Sequence, residues 1–157
     1  MSRFKELGYD KLTIMMRLTN SQNLCKALFY NDRNFLDKPN IADPTTLIYE
    51  YIFPYKKIPD VQVNARSLIT LNFSRYRPVG VSFKSGIIDF NVLIHKDNMR
   101  TDYGCLRTDY IVSEIDELIN QTYGLGIGKV KFFAMDDILV NSDYHGITIS
   151  YEKVDFN

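Results

Sequence analysis

The chain has 157 residues, long enough for one domain with a real core, and its 45% apolar and 24% charged content is ordinary for a folded domain. Lys and Arg number 19, Asp and Glu number 19, and the formal net charge is zero. That balance excludes a general nucleic-acid binder or a polybasic membrane protein unless a local patch supplies the charge. Aromatic content is skewed, with 11 Tyr and 10 Phe but no Trp. It reads either as a β-rich core with Tyr at its rim or as an interface surface. Cys25 and Cys105 are the only cysteines, too few for a disulfide scaffold, so a reduced setting is expected. Charges spread through Met1–Asn20 leave no apolar signal core, and no apolar run has membrane-span length.

In chain order, Ile14, Met15 and Leu18 stand at helical spacing within 10–19. Asn20 or Ser21 suits the cap of a second segment carrying Leu24, Ala27 and Leu28, as one bent helix or two. The stretch 31–40 is polar and irregular. Asp43-Pro44 has the chemistry of an N-cap followed by a first helical position, which predicts a helix over 45–52 stopped by Pro54. An extended connector follows over 55–60. Residues 67–75 alternate, with Ile69, Leu71 and Phe73 on one side and Thr70, Asn72 and Ser74 on the other. Arg77-Pro78-Val79-Gly80 reads as a turn or hairpin tip.

Residues 86–95 alternate again, with Ile88, Phe90, Val92 and Ile94 inward. The opposite side holds Ile87, Asp89, Asn91, Leu93 and His95. Two apolar residues on that nominally wet side predict cover from a helix or a partner chain, which makes Ile87 and Leu93 candidate interface residues. Residues 98–104 form a loop. A helix is predicted over 106–121, with Tyr110, Ile111, Ile115, Leu118 and Ile119 buried and Arg107, Ser113, Glu114, Glu117 and Asn120 wet. Gly124 suits the left-handed position after its end. Strands over 129–135 and 147–151 close the pattern, with a turn at 141–146. The order gives one α+β domain, 1–157. It has a mainly helical part at 1–60 and a ββαββ core at 67–157, an antiparallel sheet of four or more strands with a helix packed across it.

No catalytic constellation emerges. Gly124-Leu125-Gly126-Ile127-Gly128-Lys129 lacks the Gly that a phosphate loop needs at Tyr123 and the Ser or Thr it needs at Val130, and it leads from helix into strand. His95 and His145 are far apart in sequence and no close ligand pair occurs, so no metal and no cofactor are expected. Asp89 with Glu152 and Lys153 is the one set from which a two-metal nuclease site can be assembled, and cross-strand charges on a wet sheet face read the same way. Glu114, Asp116 and Glu117 read as a solvated helix face. Phe73-Ser74-Arg75-Tyr76-Arg77, with Lys84 beyond the turn, interleaves base and aromatic. It suits contact with a nucleic-acid backbone or an ordinary hairpin end.

Several stretches carry a resemblance in pattern and order: Gly86–His95, Gly104-Cys105-Leu106-Arg107-Thr108-Asp109 opening the helix, Gly124–Gly128, Tyr144–Tyr151 and Val154–Asn157. Leu24–Leu28 and Ile58-Pro59-Asp60 fit it too. The chain resembles the neck and tail-completion proteins of tailed bacteriophages, especially the tail-terminator group. No functional residue transfers from that group. The resemblance implies a non-enzymatic virion structural protein that forms a homo-oligomeric ring, typically a hexamer, between tail tube and head–tail connector. It is made in the host cytoplasm and resides in the virion. Its expected partners are itself, tail tube or sheath and neck connector proteins, and DNA passing through the lumen, with no membrane. Arg75, Tyr76, Arg77 and Lys84 would then face lumen or tube, and Ile87 and Leu93 a neighbouring subunit. A head–tail adaptor or stopper is the neighbouring alternative. A small phage-encoded nuclease or host effector is the alternative of a different class.

Overall fold

The computed structural model describes residues 3–61 and 64–156. Asn157, where the predicted core ends, lies outside the described residues. The architecture is α+β: a mostly antiparallel five-stranded sheet with the α-helices on one face. The strands are β1 (Ile52–Phe53), β2 (Ser67–Val79), β3 (Phe83–His95), β4 (Lys131–Leu139) and β5 (Tyr144–Phe156), in the spatial order β1-β2-β3-β5-β4. Only β1 runs parallel to its neighbour.

The helices are α1 (Glu6–Thr19), α2 (Gln22–Phe29) and α3 (Arg107–Ile119). Ser21 separates the first two, its hydroxyl accepting from the Leu24 amide at 3.2 Å. Packing puts α3 on β3 and β5, and α2 on β2 and α3. Ile14, Leu18, Leu24, Leu28, Ile111 and Ile115 bury against the sheet side chains Ile69, Leu71, Ile88, Phe90, Val92 and Tyr151.

Four expectations change. The Asp43-Pro44 cap opens a 3-10 turn at Pro44–Leu47 and no longer helix, because the chain turns through a positive φ at Tyr49 and enters β1. The left-handed residue after α3 is Gln121 (φ 59), one past the Asn120 cap, and not Gly124. The strands are longer than the alternation suggested: β2 and β3 stay paired out to Val79 and Phe83, through the expected Arg77–Gly80 turn, and the outer end of β5 pairs with β3. Arg107, predicted wet, is fully buried.

The Gly124–Gly128 loop runs along the end of β5 and is no phosphate loop: it leaves α3 and enters β4. Its Ile127 amide donates to the Val154 carbonyl at 2.6 Å. Gly126 sits at φ +73, and a Cβ there would stand 2.4 Å from the Val154 oxygen. Gly128 has a similar φ, +74, with open space around it. Gly126→Ala is therefore expected to cost about 2–3 kcal/mol and Gly128→Ala about 1 kcal/mol, the left-handed strain alone. Thermal melts check this. An equal drop for both would remove the close approach as the cause.

Candidate functional site

The face of the sheet opposite the helices is open and polar at its centre. β2 contributes Thr70, Asn72 and Ser74, β3 contributes Asp89 and Asn91, and β5 contributes Thr148 and Ser150. These meet because their positions pair directly: Asp89 with Asn72 and Ser150, Asn91 with Thr70 and Thr148. One Asp89 oxygen accepts from Asn72 Nδ2 at 3.0 Å and Ser74 Oγ at 2.7 Å, and the other accepts from Ser150 Oγ at 2.5 Å. Asn91 Nδ2 donates to Thr70 Oγ1 and to Asn72 Oδ1, and its oxygen accepts from Thr148 at 2.7 Å. Both carboxylate oxygens are engaged, so the ladder is a self-satisfied surface and not a set of ligands aimed at solvent.

This floor underlies a groove of 580 Å³. One wall is the connector after β1, with Lys56, Lys57 and Ile58, and the other is β4, with Phe133, Asp136 and Ile138. The connector is tied down where Asn141 Nδ2 donates to the Pro59 carbonyl at 3.0 Å.

β4 is the unusual element. It lies at the sheet edge and pairs only with β5. Its side chains on the helix side, Phe132, Met135 and Leu139, are 50%, 51% and 102% exposed, because the helix layer does not reach that far. A bulge at Phe133 turns a further aromatic toward the groove. An uncovered edge with apolar side chains on both faces is a template for strand pairing.

The structure separates the sequence candidates. Arg75 is exposed, lines the groove and takes a positive φ of 55 within the bulge that shifts β2 against β3. Arg77 is exposed and pairs with Glu152 at 3.4 Å. Tyr76 turns to the helix side against Phe4. Its buried hydroxyl lacks a hydrogen-bond partner, and burial pushes the phenol up to about 12. Lys84 does not project. It is 6% exposed, donates to the Phe156 carbonyl at 3.1 Å and stands 4.6 Å over the Phe4 ring.

Ile87 and Leu93 are 2% and 3% exposed, so the chain itself supplies the cover that their side of β3 needs. Leu93 sits in a small second core with Phe53, Leu68 and Tyr144. The nuclease set does not assemble: Asp89 and Glu152 share the open face, whereas Lys153 points to the opposite face, buried against Asp10 and Asp155. Among the described residues no group of His, Cys, Asp and Glu is arranged to hold a metal ion. Cys25 is buried, and burial pushes its thiol up to about 11, away from nucleophile chemistry. Among the described residues no helix is long and apolar enough to cross a membrane.

Sequence reasoning placed a strand over 129–135 but missed the bareness of β4, which depends on where the helix layer ends. It also missed the Asp89 ladder as a unit, although the alternation placed each member on the right side.

No curated protein matches the chain. A solved structure without a functional name is similar over 70% of this chain and 78% of its own, at 14% identity and a TM-score of 0.39. The match that covers most of the chain is to the YomW family model, over residues 21–153. The chain belongs to the YomW family, which is phage-related.

Proposed function

We propose that this chain is a structural protein of the phage neck, a non-enzymatic tail terminator that forms a homo-oligomeric ring between the tail tube and the head–tail connector. The observation that carries the reading is β4: a nine-residue edge strand whose apolar side chains Phe132, Met135 and Leu139 are left bare, in a phage-related chain. Such an edge is a liability in a monomer and an asset in an assembly. The open polar face supports the same reading. Its Asn, Ser and Thr floor offers passing DNA no dense cationic surface, and Arg75 and Arg77 stand at its end. Tube, sheath and connector proteins are the proposed partners, and the virion the proposed location.

Mass photometry of the chain alone and with purified tails is expected to give a ring-sized species, free or joined to tail ends. A monomer that ignores tails and degrades DNA with magnesium, losing that activity on Asp89→Ala, would sink the structural reading in favour of a nuclease. Replacing Arg75 and Arg77 together by Glu is expected to leave the melt nearly unchanged, since only the exposed Arg77–Glu152 pair is lost, about 0–1 kcal/mol. Assembly or infectivity is expected to fall. Unchanged infectivity removes the luminal role of these two arginines.

A further inference from the structure

We propose that β4 of one copy pairs edge to edge with the Tyr55–Ile58 connector of the next copy, Asp137 meeting Lys56 and Asp136 meeting Lys57. The proposal rests on the ring reading and names the contact that would close it. β4 carries Met135-Asp136-Asp137-Ile138, and the connector carries Tyr55-Lys56-Lys57-Ile58. Laid antiparallel, acid meets base at both central positions, Met135 meets Ile58 and Ile138 meets Tyr55.

Both segments are available. Asp136, Asp137, Lys56 and Lys57 are exposed, Tyr55 is 50% exposed and Ile58 73%. Asp136 and Lys56 form no ion pair among the described residues, Asp137 lies 4.0 Å from His145, and Lys57 rests over the Phe53 ring at 4.5 Å. The connector has no secondary structure of its own to break.

β4 and the connector are two different surfaces of the chain, so a contact between them is heterologous, the arrangement that closes into a ring. The antiparallel sense is part of the proposal: it sets Asp137 against Lys56, where a parallel one would set it against Lys57.

Pairing of β4 with itself is disfavoured. Along its regular part, Ala134–Leu139, a two-fold antiparallel register centred on Asp136 or Asp137 sets that carboxylate against its own copy. The free edge of β2 is poorly suited as well, with a bulge at Arg75 and Pro78 near its end.

The test uses the full chain. Asp136→Lys with Asp137→Lys, or Lys56→Glu with Lys57→Glu, is expected to raise the concentration at half-assembly at least about tenfold by sedimentation velocity. All four substitutions in one chain should restore assembly. In a Cys105→Ser background, Lys56→Cys with Asp137→Cys should oxidise to a ladder of covalent multimers. Rings that form equally well with either reversal overturn the pairing and leave the ring reading standing. A 56–137 disulfide confined to monomers also overturns it, since the two walls of the groove would then have closed within one chain. A wild-type chain that assembles neither alone nor on tails overturns the ring reading and the pairing with it.

Discussion

Arg107→Met is expected to destabilise the chain by about 4 kcal/mol, a large part of the 5–15 kcal/mol that holds most domains together. The guanidinium is wholly buried and satisfies carbonyls from three segments. Nε donates to Asn98 at 2.7 Å, Nη1 to Ala27 at 2.6 Å and Tyr30 at 3.0 Å, and Nη2 to Asp32 at 2.9 Å. Its plane stands 4.6 Å from the Phe35 ring centre. Arg107 thus bolts the end of α2 and the loop after it, together with the 3-10 turn at Lys96–Asn98, to the start of α3.

Methionine fills similar volume but donates nothing. The Ala27 and Asn98 carbonyls, bonded within the interior, would lose their partners at about 1–3 kcal/mol each, and the outer two would be partly rescued by water. Burial pushes the guanidinium down to about 10, so it remains a cation at neutral pH. Lysine keeps the charge on a single nitrogen and cannot span the fork, so Arg107→Lys should recover about half the loss. Urea unfolding checks both variants. A Met variant within about 1 kcal/mol of wild type would show that the bolt contributes little.

Arg107 also marks where sequence reading ran out. The stripe Ile111, Ile115 and Ile119 was legible because it repeats at helical spacing and is fully buried. Arg107 lies at the first position of α3, where the partners are backbone carbonyls of distant loops, and carbonyls leave no trace in a sequence. Periodicity therefore assigns the charge to water. The Ser21 and Asp43 caps were legible for the opposite reason: each bonds an amide two or three residues away. Strand alternation over Ser67–Arg75 and Gly86–His95 placed the β2 and β3 ladder residues on their correct face, but the bulge at Arg75–Tyr76 reversed the faces beyond it. That reversal is why Tyr76 turns inward while Arg75 lines the groove; Lys84 is buried on the helix side by the ordinary alternation of β3, in step with Ile88 and Phe90. Ile87 and Leu93 signalled a need for cover correctly. Whether the chain or a neighbour supplies it is a tertiary fact, as is the bareness of β4.

Lys153→Met is the second large effect, expected to cost about 3–5 kcal/mol at neutral pH. The ammonium is fully buried, hydrogen-bonded to Asp10 of α1, 3.1 Å from Asp155 and 5.2 Å over the Phe73 ring. It ties α1 to the outer half of β5. Burial alone would lower its pKa, but the hydrogen bond it donates to Asp10 and the surrounding negative groups outweigh burial and raise it. For Asp10, burial raises the carboxyl and Lys153 draws it back only in part. A lysine held above its unfolded value stabilises fully below about pH 10.5, and that stabilisation is lost as pH rises through the folded value. The wild type should therefore weaken in strong alkali. Without Lys153, Asp10 faces Asp155 in a dry site with nothing to draw its pKa back, so the Asp10 carboxyl should bind protons more tightly folded than unfolded. The variant's stability should then be highest in acid and fall as pH rises through the acid-to-neutral range, a window in which Lys153 of the wild type does not titrate. Adding Asp10→Asn to the variant should recover part of the loss at pH 7 and flatten that acid-to-neutral fall. Parallel pH–stability profiles for wild type and Lys153→Met below pH 8 would show that the ion cluster does not anchor α1.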